Sequence, residues 1–225
     1  MKTSNKLILG LAFLGLSGLV AFNAALKADL TRINPKDPLS MLETRPLKPF
    51  RVVRIEGRND LLVGLASGPD FEFRSQRNAS EEVSYRMQGD TLVVHLPQNN
   101  GYRADAGSYF SSSPHILIQA PRLTAVDVNG ATVKLMNWQL DSLTAVVRDS
   151  AGGLALAESR IGRLNATVRT TALLQTGHSV RLGDTRIQVR DRARFAAEAD
   201  RFDKLTLTVD STAHVDLPGA LLSKL

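Results

Sequence analysis

From residue 50 onward, apolar and polar positions alternate in short runs separated by turn residues. Arg51-Val52-Val53-Arg54-Ile55 precedes Gly57, and Leu61-Leu62-Val63-Gly64-Leu65 precedes Ser67-Gly68-Pro69-Asp70. Phe71-Glu72-Phe73-Arg74 alternates, as does Val83-Ser84-Tyr85-Arg86-Met87, which ends at Gln88-Gly89-Asp90. Thr91-Leu92-Val93-Val94-His95-Leu96 stops at Pro97. Runs of this length and composition predict β-strands. Residues 98–114, with Asn99-Asn100-Gly101 and Ser111-Ser112-Ser113-Pro114, predict a long polar loop before His115-Ile116-Leu117-Ile118-Gln119-Ala120 resumes the strand pattern.

Beyond Pro121 the chain repeats. Val147-Arg148-Asp149-Ser150-Ala151, Val168-Arg169-Thr170-Thr171-Ala172, Val189-Arg190-Asp191-Arg192-Ala193 and Val209-Asp210-Ser211-Thr212-Ala213 can be laid over one another. Their valines recur at intervals of 21, 21 and 20 residues, and the alanines keep the same steps. Val128-Asn129-Gly130-Ala131 belongs to the series with one residue fewer. Leu123, Leu143, Leu164 and Leu205 open most units; Thr185 breaks that series, and Ile187 is expected in its place. Helix-pair repeats need more than about thirty residues per unit, and no L-x-x-L-x-L pattern marks a leucine-rich repeat. A parallel β-solenoid fits. Each coil lies about 4.8 Å from the next, so equivalent residues form rows, with Val, Ala and Leu inward and Arg, Asp and Thr outward. One coil cannot bury its apolar side alone, so several must stack, and the open end needs a cap. Pro218-Gly219 and the residues after it are expected to supply one.

The first residues differ. Residues 7–26 carry no charge and lie between Lys6 and Lys27. Twenty helical residues rise about 30 Å, the depth of a bilayer's hydrocarbon core. A cleaved signal peptide has a shorter apolar stretch and small residues before the cut, whereas here Phe22 or Asn23 would hold the −3 position. An uncleaved signal-anchor is therefore expected over residues 1–27. Lys2 and Lys6 would keep the N-terminus in the cytoplasm and place the head outside, in the cell envelope. Pro35, Pro38, Pro46 and Pro49 predict an irregular tether over residues 28–49. The head then runs from 50 to 225, with irregular strands over 50–122 and coils of about 20–21 residues over 123–225.

Composition narrows the chemistry. The 225 residues include no cysteine, which removes disulfides, thiolate zinc sites and cysteine nucleophiles. His95, His115, His178 and His214 show no metal-ligand spacing, and no nucleophile elbow, phosphate-binding loop or dinucleotide fingerprint occurs, so no metal, cofactor or catalytic residue is assigned. Net charge is +6, but no nucleic-acid-binding motif is present and only 5% of residues are aromatic. Arg148, Arg169 and Arg190 share one repeat position and would stack into a basic row able to grip an anionic polysaccharide or another envelope component. Solvated outward positions with Asp beside Arg would produce the same row.

Taken together, the charged-then-apolar N-terminus, Phe50-Arg51-Val52-Val53, Thr91-Leu92-Val93-Val94 after a Gly-Asp turn, and Pro121-Arg122-Leu123 leading into Val128-Asn129-Gly130-Ala131 resemble the head GIN domain of auto-transporter adhesins, over residues 50–220. Only the first coil keeps a Gly-Ala pair. The resemblance implies a bacterial envelope protein with a β-helical fold and brings no catalytic residues. The expectation is an all-β protein, a right-handed parallel β-helix head with an N-terminal membrane-anchor helix, acting as a non-enzymatic binding, adhesin-like or structural module. The alternative is a polysaccharide-active β-helix enzyme, lyase or hydrolase, using Asp149 and Asp191 two coils apart, about 9–10 Å.

Overall fold

The computed structural model describes residues 3–32, 42–59, 61–75, 83–98, 112–150 and 152–223. Pro35 and Pro38 of the expected tether, and most of the expected polar loop over 98–114, lie outside the described residues. The chain divides into two units, Met1–Leu42 and Glu43–Leu225.

The first unit is the helix α1 (Thr3–Arg32), which contains the whole uncharged run. Leu11, Phe13, Leu14, Leu16, Leu19, Val20 and Phe22 are exposed along it. Among the described residues no helix is long and apolar enough to cross a membrane. The expected transmembrane anchor is corrected to that extent. The side chains described in α1 lie between Gly10 and Lys27, a rise of about 26 Å, and Gly15, Ser17, Gly18 and Asn23 dilute them.

The second unit is mostly β. Its strands are β1 (Glu43–Pro46), β2 (Val52–Glu56), β3 (Leu62–Ser67), β4 (Glu72–Ser75), β5 (Ser84–Gln88), β6 (Thr91–His95), β7 (Ile116–Ala120), β8 (Ala125–Asn129) and β9 (Thr132–Met136). They continue as β10 (Gln139–Arg148), β11 (Gly153–Ala157), β12 (Arg160–Val168), β13 (Leu173–Thr176), β14 (Arg181–Val189), β15 (Arg194–Ala197), β16 (Phe202–Val209) and β17 (His214–Asp216). The short helix α2 (Gly219–Leu222) follows. Residues 43–46, expected within the tether, instead pair antiparallel with β4.

Two sheets hold these strands, in the orders β1-β4-β7-β3-β9-β11-β13-β15-β17 and β16-β14-β12-β10-β8-β2-β6-β5. From β8 to β17 consecutive strands alternate between the sheets, and each pairs in parallel with the strand two places on. The region expected to be irregular carries the same pattern, with β2 paired in parallel to β6 and β8, and β3 to β7 and β9. Its chain order is what differs. The β2/β3 rung sits between β6/β7 and β8/β9, so the chain builds the second rung before the first. Antiparallel pairing is confined to β1, β4 and β5 with their neighbours.

The repeat valines fall in one row. Val94, Ile55, Val128, Val147, Val168, Val189 and Val209 are successive partners across the second sheet. The first six are 0% exposed, whereas Val209, on β16 at the edge of the sheet, is 43% exposed. Facing them, Ile116, Val63, Val133, Leu154, Leu174, Phe195 and Val215 form the corresponding row of the first sheet. Burying such rows is the chief driving force for stacking. At the far end Leu221 of α2 is buried against the core, as a cap requires.

Two finer expectations are corrected. Thr185 keeps its place between Leu164 and Leu205 and is fully buried, while Ile187 lies in the next inward row, between Ala166 and Leu207. In the alanine row the member contributed by the 147–152 corner is Gly152, and Ala151, expected there, lies outside the described residues. The bonds Gly153 N–H to Ala131 O, Leu173 N–H to Gly152 O, Arg194 N–H to Ala172 O and His214 N–H to Ala193 O repeat from rung to rung. That corner holds one more residue than the corner after β12 and two more than the corner after β8, so even spacing misplaces it. A Cβ on Gly152 would lie 2.3 Å from the Arg148 carbonyl oxygen, which is why glycine stands there.

Candidate functional site

Arg148, Arg169 and Arg190 stack as their repeat position requires. The Arg169 N–H donates to Val147 O at 3.0 Å and the Arg190 N–H to Val168 O at 2.9 Å, each one residue beyond a paired valine. They are not three equivalent cations. Arg148 Nη2 donates to Asp127 Oδ2 at 3.0 Å, and the same carboxylate oxygen accepts from Arg54 Nε at 3.1 Å. Arg169 and Arg190 are exposed, and among the described residues neither has a carboxylate partner. At the next rung Asp210 takes the position, its N–H bonded to Val189 O.

The corners beside this row are occupied by structural carboxylates. Arg58 grips Asp149 with two bonds, Nε to Oδ2 at 2.9 Å and Nη2 to Oδ1 at 2.6 Å. Hydrogen bonding from Arg58 first, then the Ser150 N–H and the charge attraction, holds the Asp149 carboxyl below its ordinary pKa against a smaller desolvation effect. Asp210 is likewise held low, chiefly by the Asp191 N–H and by the hydroxyl and N–H of Thr212. A glycosidase acid needs a raised pKa, so Asp149 is unsuited to that task, and Asp210 joins two rungs rather than facing a substrate.

A second arginine row was missed. Gln139 pairs with Arg160, Arg160 with Arg181, and the Leu182–Phe202 pair sets Arg201 beside Arg181. These arginines lie where the chain enters the second sheet, whereas the Arg148 row lies where it leaves. The intervals 160 to 181 and 181 to 201 are 21 and 20 residues, the valine intervals again. Those intervals are the sequence signal for this row. Arg160 is exposed and has no ion-pair partner among the described residues. Arg181 stands 3.8 Å from Asp203, both well exposed, and Arg201 Nε donates to His178 O at 3.1 Å.

Shallow clefts follow this row, one bounded by His178, Asp200, Arg201 and Asp203, another by Gln139, Glu158 and Arg160. A third runs over Gly162 and Gly183 between Arg160, Arg181 and Asp203. His178 Nδ1 lies 2.7 Å from Glu198 Oε2, and Gln175 Nε2 donates to Glu198 Oε1 at 3.3 Å, so the carboxylate is shared between rungs. Among the described residues no group of three or more His, Asp or Glu side chains is placed to hold a metal ion.

No protein-family model matches the chain, and no curated protein does. Among solved structures it is similar to an adhesin candidate from Bacteroides fragilis NCTC 9343, with 10% identity, 78% of this chain and 95% of that one covered, and a TM-score of 0.37. It is also similar to adhesin candidates from Parabacteroides distasonis ATCC 8503 (8% identity, 77% and 95% covered, TM-score 0.32) and Parabacteroides merdae ATCC 43184 (8% identity, 79% and 95% covered, TM-score 0.38). Likeness of this order assigns the chain to no family.

Proposed function

We propose that this protein is a non-enzymatic, adhesin-like binding module of the bacterial cell envelope, its head a right-handed parallel β-solenoid. The observation that carries the proposal is the register of the second sheet, which turns single outward arginines into rows along the stack. Such rows recognise a long ligand by repetition rather than by enclosing a small one, and the clefts are open and polar. Anionic polysaccharide is the ligand class, and Arg169 and Arg190 are the members of the predicted row free to meet it.

The envelope address is proposed from residues 7–26, an uncharged run between lysines, and from the apolar side chains exposed along α1.

The test is salt-dependent retention of the full chain, in detergent micelles, on immobilised polygalacturonate. Replacing Arg148, Arg169 and Arg190 together by Ala should weaken retention and flatten its salt dependence. Unchanged retention removes this row from the function, and no retention of the unaltered protein overturns the ligand class.

A further inference from the structure

We infer that the Arg160–Arg181–Arg201 row, with the glycine trough beside it, is a binding groove for a linear acidic polysaccharide. The inference rests on the proposed binding role and locates a site distinct from the Arg148 row.

The row begins with spacing. Its three arginines hold one position on successive rungs, Arg160 and Arg181 opening β12 and β14 and Arg201 directly preceding β16, so their backbone positions repeat about every 4.8 Å along the stack. Two rungs bring the repeat near the length of one disaccharide in an extended polyuronate chain, so alternate arginines can meet equivalent acidic groups. Gln139 extends the line by one more rung with a neutral donor and acceptor.

The trough comes from the backbone. A Cβ on Gly183 would lie 2.1 Å from the Gly162 carbonyl oxygen, and one on Gly162 would lie 2.9 Å from the Asp141 carbonyl oxygen. No side chain is admissible at Gly183, so the surface beside the arginines stays low for two successive rungs. A flat sugar chain can lie there against peptide groups, with the arginines along one flank.

The charge pattern selects the ligand class. A membrane surface or a nucleic-acid backbone favours cations alone. Here Glu158 and Asp203 stand among the arginines, and His178 keeps its Nε2 directed away from the Glu198 contact made by Nδ1. Carboxylates beside cations repel a dense polyanion but accept hydrogen bonds from hydroxyls. A polymer carrying one carboxylate per sugar among several hydroxyls satisfies both. Among the described residues Arg160 has no ion pair to give up, and the Arg181–Asp203 contact of 3.8 Å between exposed groups is a weak one.

The experiment measures binding of the full chain in detergent to polygalacturonate, with neutral dextran and anionic phosphatidylglycerol vesicles as the other arms. Replacing Arg160, Arg181 and Arg201 together by Gln is expected to reduce polygalacturonate affinity at least about ten-fold, each arginine offering charge-assisted bonds that Gln lacks. Because Arg201 also bonds His178 O, Arg160→Gln alone serves as a variant that touches no described hydrogen bond, with an expected loss of about three-fold and an unaltered circular dichroism spectrum. Polygalacturonate binding that is unaffected in both variants overturns this groove while leaving the binding role intact. Failure of the unaltered protein to bind polygalacturonate overturns this groove together with the anionic-polysaccharide ligand class. Stronger binding to vesicles than to polygalacturonate, lost in the triple variant, overturns the ligand class assigned to the groove.

Discussion

Arg58 and Asp149, 91 residues apart in sequence, meet in a two-bond ion pair that fastens the segment after β2 to the corner between β10 and β11. The pair spans the place where the sequentially repeating rungs join the two rungs built out of order. Asp149 also has a positive φ of 75°, so its backbone and its carboxylate serve the same corner.

The pair gives stability a pH dependence. The folded-state pKa of Asp149 is depressed, so its contribution is complete above the unfolded carboxyl value of about 4 and is lost as pH falls through the folded value. Asp149→Asn is the informative change, because Asn tolerates a positive φ and keeps an acceptor for the Ser150 N–H. The variant should melt about 1–3 °C below the parent near neutrality. That gap should close progressively below pH 4, and thermal melts across pH 3 to 7 decide it. A gap independent of pH would assign the effect to packing rather than to charge.

Corner strain offers a stabilising change. Thr170 and Thr171 have φ of 59° and 58°, the left-handed region that β-branched residues avoid, and Asp191 and Arg192 repeat the geometry one rung on at 57° and 61°. The first of these corners uses Gly130, at 77°, where no Cβ interferes. Thr170 is the exposed member, and its side chain makes no described hydrogen bond. Thr170→Asn should therefore raise stability by about 1 kcal/mol. Urea unfolding that shows no gain would mean the corner is already relaxed.

A polar residue interrupts an apolar inward row at Thr185. Thr185, between Leu164 and Leu205, is 0% exposed, and its hydroxyl makes one described bond, to Gly183 O at 3.4 Å. A bond so long recovers little of the cost of burying a hydroxyl. Thr185→Val keeps the shape and should stabilise by up to about 1 kcal/mol, measured as a shift in the urea midpoint at constant slope. Destabilisation would show that the hydroxyl has a stronger partner in solution.

What could be read beforehand follows the range of the interactions. The Val128–Val209 row was visible because each coil repeats its neighbour, and periodicity records nearest-neighbour contact. The two rungs out of order were not. Ile55, Val94 and Val128 share a row, yet Val94 follows Ile55 by 39 residues and precedes Val128 by 34, and no period connects them. Gly152 was missed because one extra corner residue shifts the alignment without altering the strands. The Arg58–Asp149 pair has no local signature at all. The Arg148 row was predicted in place, but its neutralisation at Arg148 by Asp127 depends on a side-chain partner on another strand.

Gly183 provides the sharpest test of how closely the rungs approach. In the second sheet the paired positions run from Leu140–Ile161 directly to Ser142–Arg163, and from Ile161–Leu182 directly to Arg163–Asp184, so regular pairing lapses at Gly162 and Gly183. At that lapse a Cβ on Gly183 would meet backbone, the Gly162 carbonyl oxygen at 2.1 Å, and no rotamer change can relieve it. On Gly162 the corresponding distance, to Asp141 O, is 2.9 Å, while on Gly219 a Cβ meets nothing within 4 Å. The three alanine variants should rank accordingly. Gly183→Ala should cost about 3 kcal/mol by forcing two rungs apart, Gly162→Ala about 1–2 kcal/mol, and Gly219→Ala next to nothing. Chemical unfolding of the three under one condition reads the order directly, and near-equal values for Gly183→Ala and Gly219→Ala would show that the strands stand further apart than this register requires.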